Sequence, residues 1–247
     1  MKPLVPLSFS SLKEYSKSPA HFLAYKRAER KSSPAQDLGR LVHSLILEPD
    51  TVEKTYAIAP KLDKRTSLGR QAWERFEFEN TGKTVVSSDT FDKAVMMRAA
   101  VMGNEDARDL ILGCTKYEHH VEGELYGVDF HGFIDGLCED DGYFLDLKTT
   151  QDHSPNAFSR TVASYKYYLQ AAVYEALTGI SDAYFIAIES EDPNCVVVYQ
   201  LSQTYMDAGR YELEALTKSF KMWMEEGAPA RPSVNTIQTI YPPSWML

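Results

Sequence analysis

Three ionisable residues close together in the chain carry the clearest chemistry. Asp135 lies near the end of the apolar run Gly132-Phe133-Ile134-Asp135-Gly136, and Asp146 and Lys148 stand two residues apart in Tyr143-Phe144-Leu145-Asp146-Leu147-Lys148-Thr149-Thr150. The two runs read as short strands joined by the tight acidic turn Cys138-Glu139-Asp140-Asp141-Gly142. Strand side chains alternate faces, so Asp146 and Lys148 point the same way. Two carboxylates and an ammonium then converge at one edge of a hairpin. Such a group holds a hard divalent cation beside a phosphate: carboxylate oxygens bind Mg²⁺, and the lysine offsets charge on the attacking or scissile group. Asp-x-Lys alone is common as a solvated charge pair. The added Asp135 on the preceding strand is what lifts the tripeptide above that reading.

Other residues gain meaning beside this trio. Leu38, Leu41, Val42, Leu45 and Ile46 form a helical apolar stripe over residues 35–48, with His43 on the other side, one turn from Gly39. A neutral imidazole there is suited to one inner-shell position on a divalent cation; a structural histidine is the plainer alternative. Gly39 is costly inside a helix, which points to a close approach by another segment or a ligand. Tyr167, Gln170 and Tyr174 share one helix face. An aromatic core stripe explains the tyrosines but not the amide, which needs partners if buried. Gln170 is therefore expected to face the site and hold the lysine or a water. Glu122 and Glu124, on the strand before Asp135, are the two candidates for a further outer acid, against a simple solvated strand face. The basic and aromatic stretch 61–78 includes Lys64, Arg65 and Arg70 and suits phosphate contact and base stacking, against plain solvated surface.

The rest of the chain must position these groups. At 247 residues, with 44% hydrophobic and 25% charged content, it has the composition of a globular domain able to bury a core without staples. Cys114, Cys138 and Cys195 are widely spaced, with no metal-binding spacing and no disulfide framework, which predicts a reducing cytoplasm and no iron–sulfur cluster. No apolar run reaches the roughly 18 residues of a membrane span, and the Pro-broken N-terminus is too short for a signal sequence. A net charge of −9 argues against indiscriminate nucleic-acid coating, but a site built of acids is compatible with it.

Periodicity predicts helices from Ser10 or Ser11, from Pro19 and over 35–48, then at 67–80, 88–103 and 104–112. Strands follow at 116–126, 129–138 and 142–149, a helix at 161–178, strands at 183–190 and 195–201, and a long helix at 203–226. A short strand is expected at 84–86. This order predicts an α/β architecture, a mixed central β-sheet flanked by helices with an N-terminal helical part. The expected organisation is a single domain over 1–247: a mainly helical part at 1–112 carrying His43, sheet and helices at 113–226, and an extended tail at 227–247.

The ordered set of motifs resembles the PD-(D/E)xK nuclease superfamily, and within it the RecE-type (exodeoxyribonuclease VIII-like) nucleases of phages and prophages. The set is Ser-x-Ser-Ser-Leu and Ser-Pro-x-His-Phe near the start, Gly39-Arg40-x-x-His43-x-Leu-x-Leu-Glu-Pro, Gly132-x-x-Asp135, Asp146-x-Lys148-Thr-Thr and Tyr167-x-x-Gln170-x-x-x-Tyr174. The resemblance spans about residues 8–225. It implies a restriction-endonuclease-like core. His43, Asp135, Asp146 and the backbone carbonyl of Leu147 would be metal ligands, Lys148 the catalytic lysine, and Gln170 and Tyr174 the supporting pair. Asp146 departs from the glutamate common at that position and shortens the carboxylate's reach. Arg40, Lys64, Arg65, Arg70 and Tyr167 are candidates for DNA contact. The resemblance further implies Mg²⁺, with Mn²⁺ as a substitute, and 5′-to-3′ degradation of linear duplex DNA from its ends. It also implies a RecT-like single-strand annealing partner and a ring-shaped homo-oligomer, trimer or tetramer. Two alternatives stand beside it: a structure-selective endonuclease of the same superfamily, and a catalytically silent DNA-binding or interaction module.

Overall fold

The computed structural model describes residues 4–29, 32–229, 239, 241 and 242. Most of the tail expected to be extended over 227–247 lies outside the described residues.

The N-terminal part is helical. α1 (Phe9–Lys17) is capped by Ser8, whose side chain accepts from the Ser11 amide while Ser11 answers the Ser8 amide. The cap is thus two residues earlier than the first serine expected, because Ser11 itself completes the reciprocal pair. α2 (Pro19–Arg27) starts with proline in its first turn, where a missing N–H costs nothing. α3 (Pro34–Leu47) buries Leu38, Leu41, Val42, Leu45 and Ile46, the stripe that periodicity predicted. A 3-10 turn (Pro49–Thr51) and the short α4 (Val52–Thr55) lead into β1 (Tyr56–Ala59), α5 (Ser67–Glu79) and β2 (Thr84–Ser87). β1 and β2 pair in parallel as a small separate sheet. Neither α4 nor β1 was expected, both being four residues long and too short to show a period. α6 (Ser88–Gly103) and α7 (Glu105–Gly113) follow.

The main sheet has five strands in spatial order β3-β4-β5-β6-β7: β3 (Lys116–Leu125), β4 (Val128–Cys138), β5 (Tyr143–Thr150), β6 (Asp182–Glu189) and β7 (Val196–Gln200). β5 and β6 run parallel and the other neighbours antiparallel, so the sheet is mixed as expected. The parallel step needs a crossover, supplied by α8 (Pro155–Tyr165) and α9 (Tyr167–Thr178). One continuous helix was expected at 161–178; Lys166 instead takes a left-handed backbone (φ 58°) and divides it. α10 (Gln203–Glu225) closes the fold.

Alternation along β5 sends Tyr143, Leu145 and Leu147 into the core beneath α3, α6 and α7, and Phe144 into the core beneath α1, α2, α9 and α10. Asp146 and Lys148 take the Phe144 side. In that second layer Tyr15, Phe22, Phe220 and Trp223 pack edge-on or tilted at ring-centre distances of 5.2–6.0 Å. Gly209 of α10 lets the helix lie directly on α9, since a Cβ there would meet the Tyr168 carbonyl oxygen at 2.4 Å. Each face of β5 is thereby covered, and only its far end is left for polar chemistry.

Candidate active site

The site forms where two strands part. β4 and β5 exchange backbone pairs only at Gly136–Leu145, Leu137–Phe144 and Cys138–Tyr143. The next facing pair, Asp135 and Asp146, is the first past the end of the ladder. Leu147 then presents its N–H and C=O toward a strand that is no longer there. Side chains satisfy both groups: Asp135 Oδ2 accepts from the Leu147 N–H at 2.7 Å, and His43 Nε2 donates to the Leu147 carbonyl at 2.9 Å. β4 and β5 supply the acids, and α3 delivers His43 from the layer on the opposite face.

The second set of contacts comes from α9. Gln170 Nε2 donates to Asp146 Oδ1 (2.7 Å) and to Tyr174 Oη (3.1 Å), while Gln170 Oε1 accepts from Lys148 Nζ (3.1 Å). Tyr174 Oη in turn donates to the Phe133 carbonyl on β4 at 2.6 Å. Gly132 makes this possible, because a Cβ there would stand 2.8 Å from the Tyr174 ring. One amide therefore fixes the rotamers of both Asp146 and Lys148, and one tyrosine anchors that amide to the neighbouring strand. Lys148 also forms an ion pair with Asp146 and lies 4.4 Å over the ring of Tyr167, the first residue of α9.

Glu118 of β3 completes the group, and sequence reasoning missed it. His43 Nδ1 lies 3.4 Å from Asp135 Oδ2 and 3.9 Å from Glu118 Oε1, and ligand atoms of all three fall within 4.8 Å of one another. Glu118 faces Asp135 at the one position where the β3–β4 ladder skips a pair, with a left-handed backbone (φ 44°). The signal was present in the turn. Tyr126 and Gly127 both have positive φ, and Leu125 pairs with Val128, so the hairpin has a two-residue loop. Such a loop fixes the register, and counting back from it places Glu118 opposite Asp135. The two acids expected in this role, Glu122 and Glu124, are exposed and face His131 and Asp129. They stand four and six residues beyond Glu118, ~13 and ~20 Å along the strand, too far to reach the site.

The electrostatics describe a site short of positive charge. Burial first, and then the Asp146 carboxylate, holds Asp135 well above the usual carboxylate range. Burial and then Asp135 push Glu118 up to about 7. Burial opposes the charge on Lys148, but Asp146, Tyr167 and Asp135 outweigh it and hold the ammonium above the ordinary lysine value. Burial lowers His43, against the pull of Asp146, so its ring is neutral. Three carboxyl groups crowd around one ammonium, and the raised Asp135 and Glu118 show that the site resists ionising them all without a further cation. Because a carbonyl oxygen can only accept, the His43 proton is on Nε2, and Nδ1 presents a lone pair to two carboxyl groups. Asp146 Oδ2 is buried without a hydrogen-bond partner, its neighbour being the Lys148 ammonium. Oxygen donors, one imidazole lone pair and acids that only a cation would let ionise together fit a divalent cation.

The remaining candidates divide. Arg40 is exposed on the turn of α3 before His43, 3.8 Å from Asp37. Tyr167 lines a cleft of about 790 Å³ together with Leu38, Thr149, Gln151, Tyr165 and Ser190; this cleft meets the site through Tyr167 and does not include the acids. The structure does not bring Lys64, Arg65 and Arg70 to the site. Lys64 covers the Trp73 ring, Arg65 bonds to Asp63, and Arg70 donates to the Arg65 carbonyl, all around α5. The Leu147 carbonyl is taken by the imidazole. Gly39 is no point of tight approach, since a Cβ there would meet Thr149 at an ordinary 3.6 Å.

One solved structure shares this architecture, and others are similar only at lower scores. A protein assigned as an exonuclease from Eubacterium rectale is similar over 97% of this chain and 91% of its own, at 16% identity and a TM-score of 0.62. A phage-related exonuclease from Haemophilus somnus 129PT is similar over 90% and 96%, at 14% identity and a TM-score of 0.41. An alkaline exonuclease from Laribacter hongkongensis is similar over 89% and 90%, at 15% identity and a TM-score of 0.33. At such identities the likeness bears on the fold alone. No curated protein matches the sequence. Asp135 on one strand and Asp146-x-Lys148 on the next match the acids and the lysine in the letters of the family's description. A family model matches residues 8–235, and the chain belongs to that family, the PDDEXK-like domain of unknown function (DUF3799).

Proposed function

We propose that the protein is a Mg²⁺-dependent exodeoxyribonuclease of the RecE type. It would degrade linear double-stranded DNA 5′-to-3′ and leave 3′ single-stranded tails for recombination by strand annealing. The observation that carries this reading is a crowded cluster of acids and one imidazole that also holds an oriented lysine. Membership of the PDDEXK-like family supports it, as does the assignment of the similar Eubacterium rectale protein as an exonuclease.

Asp135, Asp146, His43 and Glu118 would hold the cation, with the Leu147 carbonyl as a further oxygen. When bound, the cation supplies Lewis-acid stabilisation of charge on the phosphoryl group. Lys148 orients the attacking water and donates to the phosphoryl oxygens, where negative charge grows in the transition state. Attack in line forms one P–O bond and breaks the P–O bond to the leaving nucleotide. Gln170 keeps Asp146 and Lys148 in register with each other, and Tyr174 keeps Gln170 in register with β4. Tyr167, which lines the cleft, and the exposed Arg40 would contact the incoming strand. Residues 1–112 and 113–226 act as one unit here, because His43 on the first meets Asp135 on the second. In the same reading a ring-shaped trimer or tetramer confers processivity. A RecT-like annealing protein takes up the tail in the cytoplasm of a bacterial or phage-infected cell.

The test is digestion of end-labelled linear duplex with and without Mg²⁺, with 5′-phosphate, 5′-hydroxyl and closed-circular controls. Mg²⁺-dependent release of nucleotides from 5′ ends, with circles untouched, is expected. Cutting of circles would make the protein a structure-selective endonuclease. Inertness toward both substrates with Mg²⁺ and Mn²⁺ would leave a silent binding module.

A further inference from the structure

A second cluster of metal-binding side chains lies just past the C-terminal ends of β5 and β6, on the side away from β4. His153 follows β5, Glu189 ends β6 and Cys195 directly precedes β7, and ligand atoms of the three fall within 4.8 Å of one another. The group is preorganised. His153 Nδ1 is 2.7 Å from Glu189 Oε1, and the His153 backbone N–H donates to the same oxygen at 3.2 Å. Tyr199 donates to the His153 carbonyl at 2.5 Å. The Glu189 N–H donates to the Cys195 carbonyl at 2.9 Å. The turn between them is held by buried Asn194, whose amide donates to the Glu189 and Glu191 carbonyls at 3.1 Å each. All three residues are partly exposed, which leaves an entry path.

The donor chemistry differs from that of the candidate active site. There, oxygens dominate and suit a hard cation. Here a thiol, an imidazole and one carboxylate form a mixed sulfur, nitrogen and oxygen set, the kind that selects zinc or a neighbouring transition metal over magnesium. The His153 backbone N–H fixes the carboxylate, and Tyr199 fixes the backbone that carries the ring, as outer partners of metal ligands do. We propose that His153, Glu189 and Cys195 form a Zn²⁺ site separate from the active site, with a fourth position open to solvent. Binding deprotonates the Cys195 thiol and releases that proton. The immediate neighbours Asp152, Ser190 and Glu191 line the cleft that reaches Tyr167, so the metal braces that wall of the cleft.

Two measurements on the full chain, freed of metal, test this. Cys195 is the one partly exposed cysteine, Cys114 and Cys138 being buried, so alkylation by iodoacetamide reads Cys195. One equivalent of Zn²⁺ is expected to slow its alkylation at least ~10-fold, with the protection lost in His153→Ala and Glu189→Gln. Titration with Co²⁺ is expected to give a thiolate-to-cobalt charge-transfer band that persists in Asp135→Asn and disappears in Cys195→Ser. An unchanged alkylation rate with Zn²⁺, no charge-transfer band, or a band that survives Cys195→Ser would each overturn the proposal. A band lost in Asp135→Asn would show that the metal belongs to the other site and would overturn it equally.

Discussion

Neutralising Glu118 should stabilise the metal-free protein at alkaline pH and do nothing in acid. The Glu118 carboxyl is pushed up from an ordinary 4.5 to about 7 by burial and by Asp135. The folded chain therefore binds this proton more tightly than the unfolded chain. The resulting stability is fully present below about 4.5 and is lost as pH rises toward 7, where the folded state must ionise a crowded acid. Taken at face value the shift corresponds to ~3 kcal/mol. The side chain is 33% exposed, and solvent screening reduces the figure to ~1–2 kcal/mol. Glu118→Gln keeps the shape and removes the charge. In chelator at pH 8 it should melt ~2–8 °C above the wild type, given the size of the domain, and at pH 4 the two should melt together. Saturating Mg²⁺ at pH 8 should close or reverse the gap, because a cation at 100 times its dissociation constant adds ~2.7 kcal/mol to the protein that binds it best. Calorimetry or dye-monitored melting across pH 4–8, with chelator or Mg²⁺, measures each arm. A variant less stable than wild type in chelator at pH 8, or a gap that persists at pH 4, would refute the crowded-acid account of the site.

Other changes follow from the same geometry. Asp146→Asn should lower Mg²⁺-dependent digestion of end-labelled duplex at least ~100-fold. Either asparagine or alanine costs buried Lys148 its ion partner, but asparagine is the cleaner probe because its Oδ1 can still accept from Gln170; digestion at the wild-type rate would remove Asp146 from the mechanism. Gln170→Ala frees Asp146 and Lys148 from their shared amide and should reduce kcat ~10–100-fold with KM little changed. Steady-state kinetics on a short duplex decide this, and a pure KM effect would count against a positioning role. Gly132→Ala places a methyl 2.8 Å from the Tyr174 ring, so ring or strand must shift. Chemical denaturation should show a loss of ~1–3 kcal/mol, and an unchanged midpoint would mean that the contact is not tight.

Local sequence determined much of this protein, because periodicity is a local property. The two-residue period put Asp146 and Lys148 on one face of β5, and the helical period put Gln170 and Tyr174 on one face of α9; the contacts of Gln170 with Asp146, Lys148 and Tyr174 follow from that. The apolar stripe located α3 within a residue of its observed ends. Short or interrupted elements escaped: β1 has too few residues to show a period, and the left-handed Lys166 that divides α8 from α9 carries no glycine or proline to mark it. The charge run at 61–78 did not by itself say where it would lie, and Lys64, Arg65 and Arg70 cluster around α5. The parting of β4 from β5 after Gly136 was decided in three dimensions, where it freed Leu147 for Asp135 and His43. So was the approach of α3 from the opposite layer, whereas the choice of Glu118 over Glu122 and Glu124 follows from the register of the two-residue hairpin loop. Sequence spacing fixes which side chains share a face of one element, but the distance between elements depends on how the whole core packs, and a cation site needs several elements to meet within a few ångströms.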